Sequence, residues 1–150
     1  MKNFSFRLER VLQLRIVAEQ AQAKRLAEAR RVEAERRLFS EAGIARVAEA
    51  IEQLAATPSD LRTAGSLSNL ILTVEAARAR AAAATAAHRE ALARLDAEIT
   101  SFEESRQARR AIERLREQRL ETWQRETERT EQGMMDEVAL RRTHGQRTGG

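Results

Sequence analysis

The sequence contains no cysteine, so neither a disulfide framework nor a thiolate metal site can be built from it. Proline occurs once, and glycine six times with three of those in the last six residues. Aromatic residues number five, four Phe and one Trp. A β-sandwich or barrel needs many turn residues and many β-branched and aromatic positions, so a sheet is excluded. No long apolar run is present either. The longest uncharged stretch, Thr63 to Val74, is 12 residues and too short to span a bilayer. The N-terminus, MKNFSFRLERVLQLR, lacks the uninterrupted apolar stretch of a signal peptide, and a cytoplasmic location is expected. An excess of one charge sign is missing too: 27 basic against 23 acidic residues leave +4. The signs alternate along the chain, which solvates an extended helix; a nucleic-acid binder gathers Lys and Arg on one face. The pI near 10.7 reflects the dominance of Arg among the bases and does not imply a polyanionic partner.

Helix formers fill the space these absences leave. Alanine (28), arginine (25), glutamate (20), leucine (15) and lysine (2) make up 90 of the 150 residues. That exceeds the roughly 50% that already indicates a long helix or coiled coil. The first helix is expected over about residues 5–56, opening at Ser5, whose hydroxyl can accept a first-turn N–H. Its apolar stripe reads Leu8, Leu12, Ile16, Ala23, Ala27, Ala34 and Leu38, then Ile44, Val47, Ile51 and Leu54. A strict heptad from Leu12 would place Glu19, Arg30, Glu33 and Arg37 in the seam, so the spacing reads as a 3-4-4 repeat and a weakly supercoiled pair.

The connection is expected at about 57–66. Thr57-Pro58-Ser59-Asp60 reads as a cap, a first-turn proline and an acid at the third position. Gly65 is expected to end that short turn, and Ser66 to cap a second helix over about 67–140. The second stripe includes Leu70, Val74, Leu92, Leu95, Ile99, Phe102, Ile112 and Leu115, and residues 143–150 are expected to be a disordered tail. Neither helix can bury its stripe alone, so the fold class is all-α: two long helices in an antiparallel coiled-coil hairpin, a single domain over 1–142. Large-against-small pairing sets the register. With the bend near residue 62, paired positions sum to about 124, and the alanines from Ala76 to Ala87 face Leu38, Phe39, Ile44 and Val47. Phe4 then lies opposite Leu120, and the longer C-terminal helix overhangs by about residues 121–140, carrying Trp123, Met134, Met135, Val138 and Leu140 without internal partners.

Catalytic constellations are missing. His88 reads as a tolerated polar seam residue and His144 as a solvated tail residue. Glu103 and Glu104 diverge by about 100° around a helix and cannot act on one substrate. No phosphate-binding loop is present, and a two-helix hairpin lacks the volume for a deep pocket. No enzyme activity, cofactor, metal or small-molecule substrate is expected.

FSFRLERVLQLR at residues 4–15 and EQGMMDEVALRR at residues 131–142 carry a family resemblance. Phe4, Phe6, Arg7, Leu8, Val11, Leu12 and Arg15 form its stronger half, and Glu131, Gln132, Asp136 and Glu137 the other, with Gly133 a departure. The chain resembles the FliJ family of flagellar export proteins along its whole length, specifically at the two ends. The resemblance implies a soluble stalk component of the bacterial flagellar type III protein export apparatus, similar to the central stalk of rotary ATPases. It implies binding and stimulation of the hexameric export ATPase, a link to the cytoplasmic domain of the export-gate membrane protein, and a role in export-chaperone exchange. The implied location is the cytoplasm, peripheral on the inner membrane at the flagellar base, in the service of motility and chemotaxis. Arg7, Arg10, Arg15, Arg119, Trp123, Gln132, Asp136 and Glu137 are then the candidate contacts to the ATPase ring. Leu70 and Val74, one turn apart, are the candidate contacts to the gate; the alternative is that both pack against Ile51 and Leu54.

Three other readings compete. A stalk protein of a virulence-type III secretion system has the same architecture. A general structural coiled coil would self-associate through its stripe. A basic helical nucleic-acid binder using Arg141, Arg142 and Arg147 ranks last, for want of net charge and an aromatic platform.

Overall fold

A computed structural model describes the backbone of residues 3–147 and the side chains of residues 3–141. It is all-helical, with two long helices packed together as a hairpin and no strand among the described residues. Helix α1 spans Glu9–Ala56, a 3-10 turn spans Ser59–Leu61, and helix α2 spans Ala64–Arg147. The chain divides into two compact units: one built from residues 19–104, which contains the turn, and one built from residues 1–18 and 105–150.

In the unit of residues 19–104 the seam is a strict heptad. On α1 the buried or half-buried positions run Glu19, Gln22, Leu26, Ala29, Glu33, Ser40, Gly43, Val47, Ala50 and Leu54, alternating by three and four with only Arg36 exposed in the sequence. On α2 they run Leu67, Leu70, Val74, Ala77, Ala81, Ala84, His88, Ala91, Leu95, Glu98 and Phe102. The 3-4-4 expectation is therefore corrected. It rests on a strict heptad from Leu12 putting Glu19, Arg30, Glu33 and Arg37 in the seam; Glu19 and Glu33 are there, while Arg30 and Arg37 are exposed. A half-buried carboxylate is tolerated when a partner meets it, and Glu33 has one in His88, whose Nε2 lies 2.9 Å away. Ala23, Ala27, Leu38, Ile44, Ile51, Leu92 and Ile99, expected in the stripe, are exposed instead.

Small residues let the helices approach closely. A Cβ built on Gly43 would stand 3.2 Å from the Ala81 Cα and 3.5 Å from its Cβ. The alanines of α2 thus face Ser40, Gly43, Val47 and Ala50, with Leu38, Phe39 and Ile44 turned outward. The cross-helix pairs Gln22–Glu98, Glu33–His88, Ser40–Thr85 and Gly43–Ala81 fall close to the expected register.

The turn is built differently from its sequence reading. Pro58 is itself the N-cap of the 3-10 turn, in extended conformation with ψ 144°, and no side chain caps it. The Thr57 hydroxyl donates back to the Gln53 carbonyl at 2.8 Å. Gly65 lies inside the first turn of α2, and no glycine among the described residues has positive φ, so it is not a C-cap. Thr63 takes the role expected of Ser66: its Oγ1 accepts the Ser66 N–H at 3.1 Å, while the Ser66 hydroxyl donates to the Thr63 carbonyl at 2.9 Å. Arg62 closes the end of α1, donating from Nε to the Thr57 carbonyl (2.9 Å) and from Nη2 to the Leu54 carbonyl (3.1 Å). Last-turn carbonyls lack intrahelical donors, and a guanidinium fork supplies two at once.

In the other unit, α1 starts at Glu9, four residues after Ser5, so Ser5 is not its cap. Residues 3–6 are non-helical. Leu12 is buried and Leu8, Val11 and Ile16 half-buried, and on α2 the heptad continues through Ser105, Arg109, Ile112 and Arg116. α2 runs to Arg147, beyond its expected end near 140; of the tail expected at 143–150, residues 148–150 lie outside the described residues, as do the side chains of His144 and Arg147.

Candidate functional site

Three cavities in the 19–104 unit are shallow inter-helical grooves of about 410–530 Å³. The described residues hold no cluster of ligands suited to a metal ion, and no described helix is long and apolar enough to cross a membrane.

The unit that joins the two chain ends carries the more distinctive surface. Its N-terminal arm, residues 3–6, lies against α2 with the Phe4 ring 5.9 Å from the Trp123 ring at an interplanar angle of 58°. Such a tilted pair suits the quadrupoles of two aromatic faces. Arg116 reinforces the contact: its guanidinium sits 6.0 Å from the Phe4 centroid while Nε donates to Glu9 at 3.1 Å. Trp123 is thereby corrected from an unpartnered overhang residue to an internal one. The expected partner of Phe4 was Leu120, one turn earlier. An extended arm advances about 3.3 Å per residue against 1.5 Å in a helix, which carries Phe4 past that point.

Phe4, Phe6, Leu8, Leu115 and Trp123 line an apolar groove of about 660 Å³, with Arg7, Arg119 and Glu126 at its edge. Arg7 and Arg119 show no ion-pair partner among the described residues, so the groove carries two cations and one carboxylate. Arg10 and Arg15 are exposed nearby in sequence on α1. Beyond Thr127 every described side chain of α2, through Arg141, is exposed. That stretch includes Gln132, Asp136 and Glu137, together with Met134 (59% exposed) and Met135 (74%). Glu137 is ion-paired along the helix to Arg141 at 2.7 Å. All eight candidates for the ring contact therefore belong to one unit: six arise from the chain ends as exposed charged or polar groups near the groove or on the projecting stretch, Arg15 sits further along α1, and Trp123 is half-buried under Phe4.

The second candidate surface is at the turn end. Val74 is buried, at 5% exposure, and Leu70 half-buried, so Val74 belongs to the seam and is withdrawn as a surface contact. Residues that the sequence reading assigned to the core, or passed over, take its place. Ile44 and Ile51 on α1 flank one side of the seam seven residues apart, and share a groove with Ala48, Arg78 and Ala81. Ile71 occupies the corresponding flanking heptad position on α2 at this end, and Leu92 the same position three heptads further along; both are exposed. The signal that would have found them is the heptad itself: an apolar residue next to a seam position, where a two-stranded coil carries charge, widens the stripe to three positions in seven.

The described residues form an all-helical hairpin with shallow grooves and two apolar, arginine-edged surfaces. A family model described as Flagellar FliJ protein matches residues 4–148, and the chain belongs to that family. It is a component of the flagellar protein export apparatus. Comparison with curated proteins gives no match, and comparison with solved structures gives none.

Proposed function

We propose that this chain is the stalk of the flagellar export machine: it enters the central hole of the hexameric export ATPase with the unit that joins the two chain ends, and stimulates hydrolysis there. The observation that supports this most is the combination of an arginine-edged aromatic groove with an exposed stretch of α2. A helix whose described side chains are all exposed over residues 128–141 has no stabilising face of its own, because isolated helices of that length are marginal in water. Enclosure by a ring supplies one. Arg7, Arg10, Arg15 and Arg119 meet acidic groups on the ring's inner loops, while Gln132, Asp136 and Glu137 meet polar and basic ones.

The turn end faces the cytoplasmic domain of the export gate through Leu70 with Ile71, Ile44 and Ile51. Export chaperones are further partners, exchanged on the same exposed helix faces. The protein works in the cytoplasm, peripheral to the inner membrane at the flagellar base. Mixing the protein with the export ATPase of its own genome tests the central claim: a stable complex and a raised hydrolysis rate are expected. Absence of both counts against the stalk role and leaves only the coarser assignment to the export apparatus.

A further inference from the structure

Besides the larger Leu26, Val47, Leu54, Leu67, Leu70, Val74, Leu95 and Phe102, the seam of the 19–104 unit contains alanine layers and polar layers. Ala29, Ala50, Ala77, Ala81, Ala84 and Ala91 are small and alike. Sliding α2 along α1 by one heptad, about 10 Å, exchanges one alanine contact for another and gives up little apolar burial. Packing of the alanine layers is therefore a weak determinant of register.

The polar layers discriminate. Glu33 meets His88 at 2.9 Å, with the two side chains only 14% and 21% exposed. Ser40, itself buried, shares a hydroxyl–hydroxyl bond of 3.1 Å with Thr85. Gln22, also buried, donates to Glu98. In this register no buried side-chain nitrogen or oxygen among the described residues lacks a partner. A one-heptad slip in one direction sets Glu33 against Leu95 and Thr85 against Val47, and brings the His88 ring to Gly43, where the helices leave no room for it. A slip the other way sets Glu33 against Ala81, His88 against Leu26 and Gln22 against Ala91. Each slip strands part of the set against hydrocarbon, Glu33 and Thr85 in the first and His88 and Gln22 in the second, an arrangement that desolvation penalises.

We propose that the Gln22–Glu98, Glu33–His88 and Ser40–Thr85 pairs are a register key: they select one of several nearly equivalent alignments of an alanine-rich seam. Single polar positions fix register in coiled coils by the same physics, because mispairing is penalised more than correct pairing is rewarded. The key has a functional consequence at the flanking surface, which takes Ile44 and Ile51 from one helix and Ile71 from the other. A slip of one heptad separates the two halves of that surface by two helical turns.

A chain without cysteine permits a direct test. Arg36, Gly43 and Ala50 are spaced one heptad apart on α1, so Ala81→Cys combined in turn with Arg36→Cys, Gly43→Cys or Ala50→Cys reports three registers. The Gly43 and Ala81 Cβ positions, 3.5 Å apart, are within disulfide reach. In the otherwise unaltered chain, mild oxidation is expected to link only the 43/81 pair. With alanine at Glu33, Ser40, Thr85 and His88, intramolecular 36/81 or 50/81 links are expected to rise at least tenfold, with helicity by circular dichroism retained. The exchange Glu33→His with His88→Glu is expected to restore the single 43/81 link. If the fourfold variant loses helicity, Glu33→Ala with His88→Ala carries the same expectation. Exclusive 43/81 linkage in the alanine variants, failure of the exchange to restore it, or no 43/81 link in the unaltered background would each overturn the proposal.

Discussion

Phe4 packs on Trp123 across a 5.9 Å gap between ring centroids, tying a non-helical arm to the second helix. Trp123 is the single tryptophan in the chain, so its fluorescence reports on this contact alone. Phe4→Ala is expected to shift Trp123 emission to the red and to remove about 0.5–1.5 kcal/mol of local stabilisation, with helicity nearly unchanged. Unshifted emission would mean that the arm does not cover the indole.

Charge reversal separates the two parts of the proposed ring contact. Arg7→Glu with Arg119→Glu leaves three carboxylates where the groove now carries two cations and one carboxylate, and is expected to abolish ATPase stimulation at physiological salt. Asp136→Lys with Glu137→Lys is expected to lower stimulation as well, without altering Trp123 emission. Stimulation equal to that of the unaltered protein in both variants would remove this surface from the contact. Hydrolysis rates at matched concentrations decide it.

The glycines respond differently to alanine. A Cβ at Gly65 or Gly133 meets nothing within 4 Å, so each substitution gains helix propensity of up to about 1 kcal/mol. At Gly43 the new methyl would stand 3.2 Å from the Ala81 Cα. Gly43→Ala is expected to gain less than either of the others, and Gly43→Val to destabilise by about 1–3 kcal/mol through overpacking. Urea midpoints of the four variants test the order.

Arg62 and Thr63 hold the turn from opposite sides, the first on the Leu54 and Thr57 carbonyls at the end of α1 and the second on the Ser66 amide in the first turn of α2. Thr63→Ala is expected to lose about 1 kcal/mol as a lost N-cap. Arg62→Ala is expected to lose about 0.5–1.5 kcal/mol, because its bonds are solvent-exposed. Hydrogen exchange should rise in the last turn of α1 for the arginine variant and in the first turn of α2 for the threonine variant. The reverse pattern would contradict the capping roles.

Acid should weaken one surface contact on α1. The hydrogen bond from Arg31, one turn on, holds the Glu28 carboxyl below its ordinary value. A depressed carboxyl contributes stability that is present above the unfolded-state pKa and is lost as pH falls through the folded one. The melting difference between the unaltered protein and Glu28→Gln is therefore expected to shrink on acidification and to stay constant above neutral pH. A difference that grows in acid would reverse the sign of the linkage.

Much of the architecture was legible before any coordinates. The break at Pro58, the two helices around it, the register near a sum of 124 and the exposed end of α2 followed from composition and spacing. The turn chemistry did not, because Thr63 and Ser66 are equally good caps by residue type, and only the chain's path chose between them. The seam was misread where it is polar. Glu19 and Glu33 were excluded on charge alone, and that displaced Leu38, Ile44, Ile51 and Leu92 from the surface to the core. Trp123 was left without a partner, since nothing local says that residues 3–6 are extended.

The order of residues alone determined that this chain is helical, that it bends once and that neither helix is complete without the other. Those outcomes depend on local propensity and on the fraction of apolar side chains, both of which sum along the chain. Which face of each helix turns inward was decided only in three dimensions. Burial of Glu33 is unfavourable or acceptable according to whether His88 stands opposite, and that neighbour is 55 residues away.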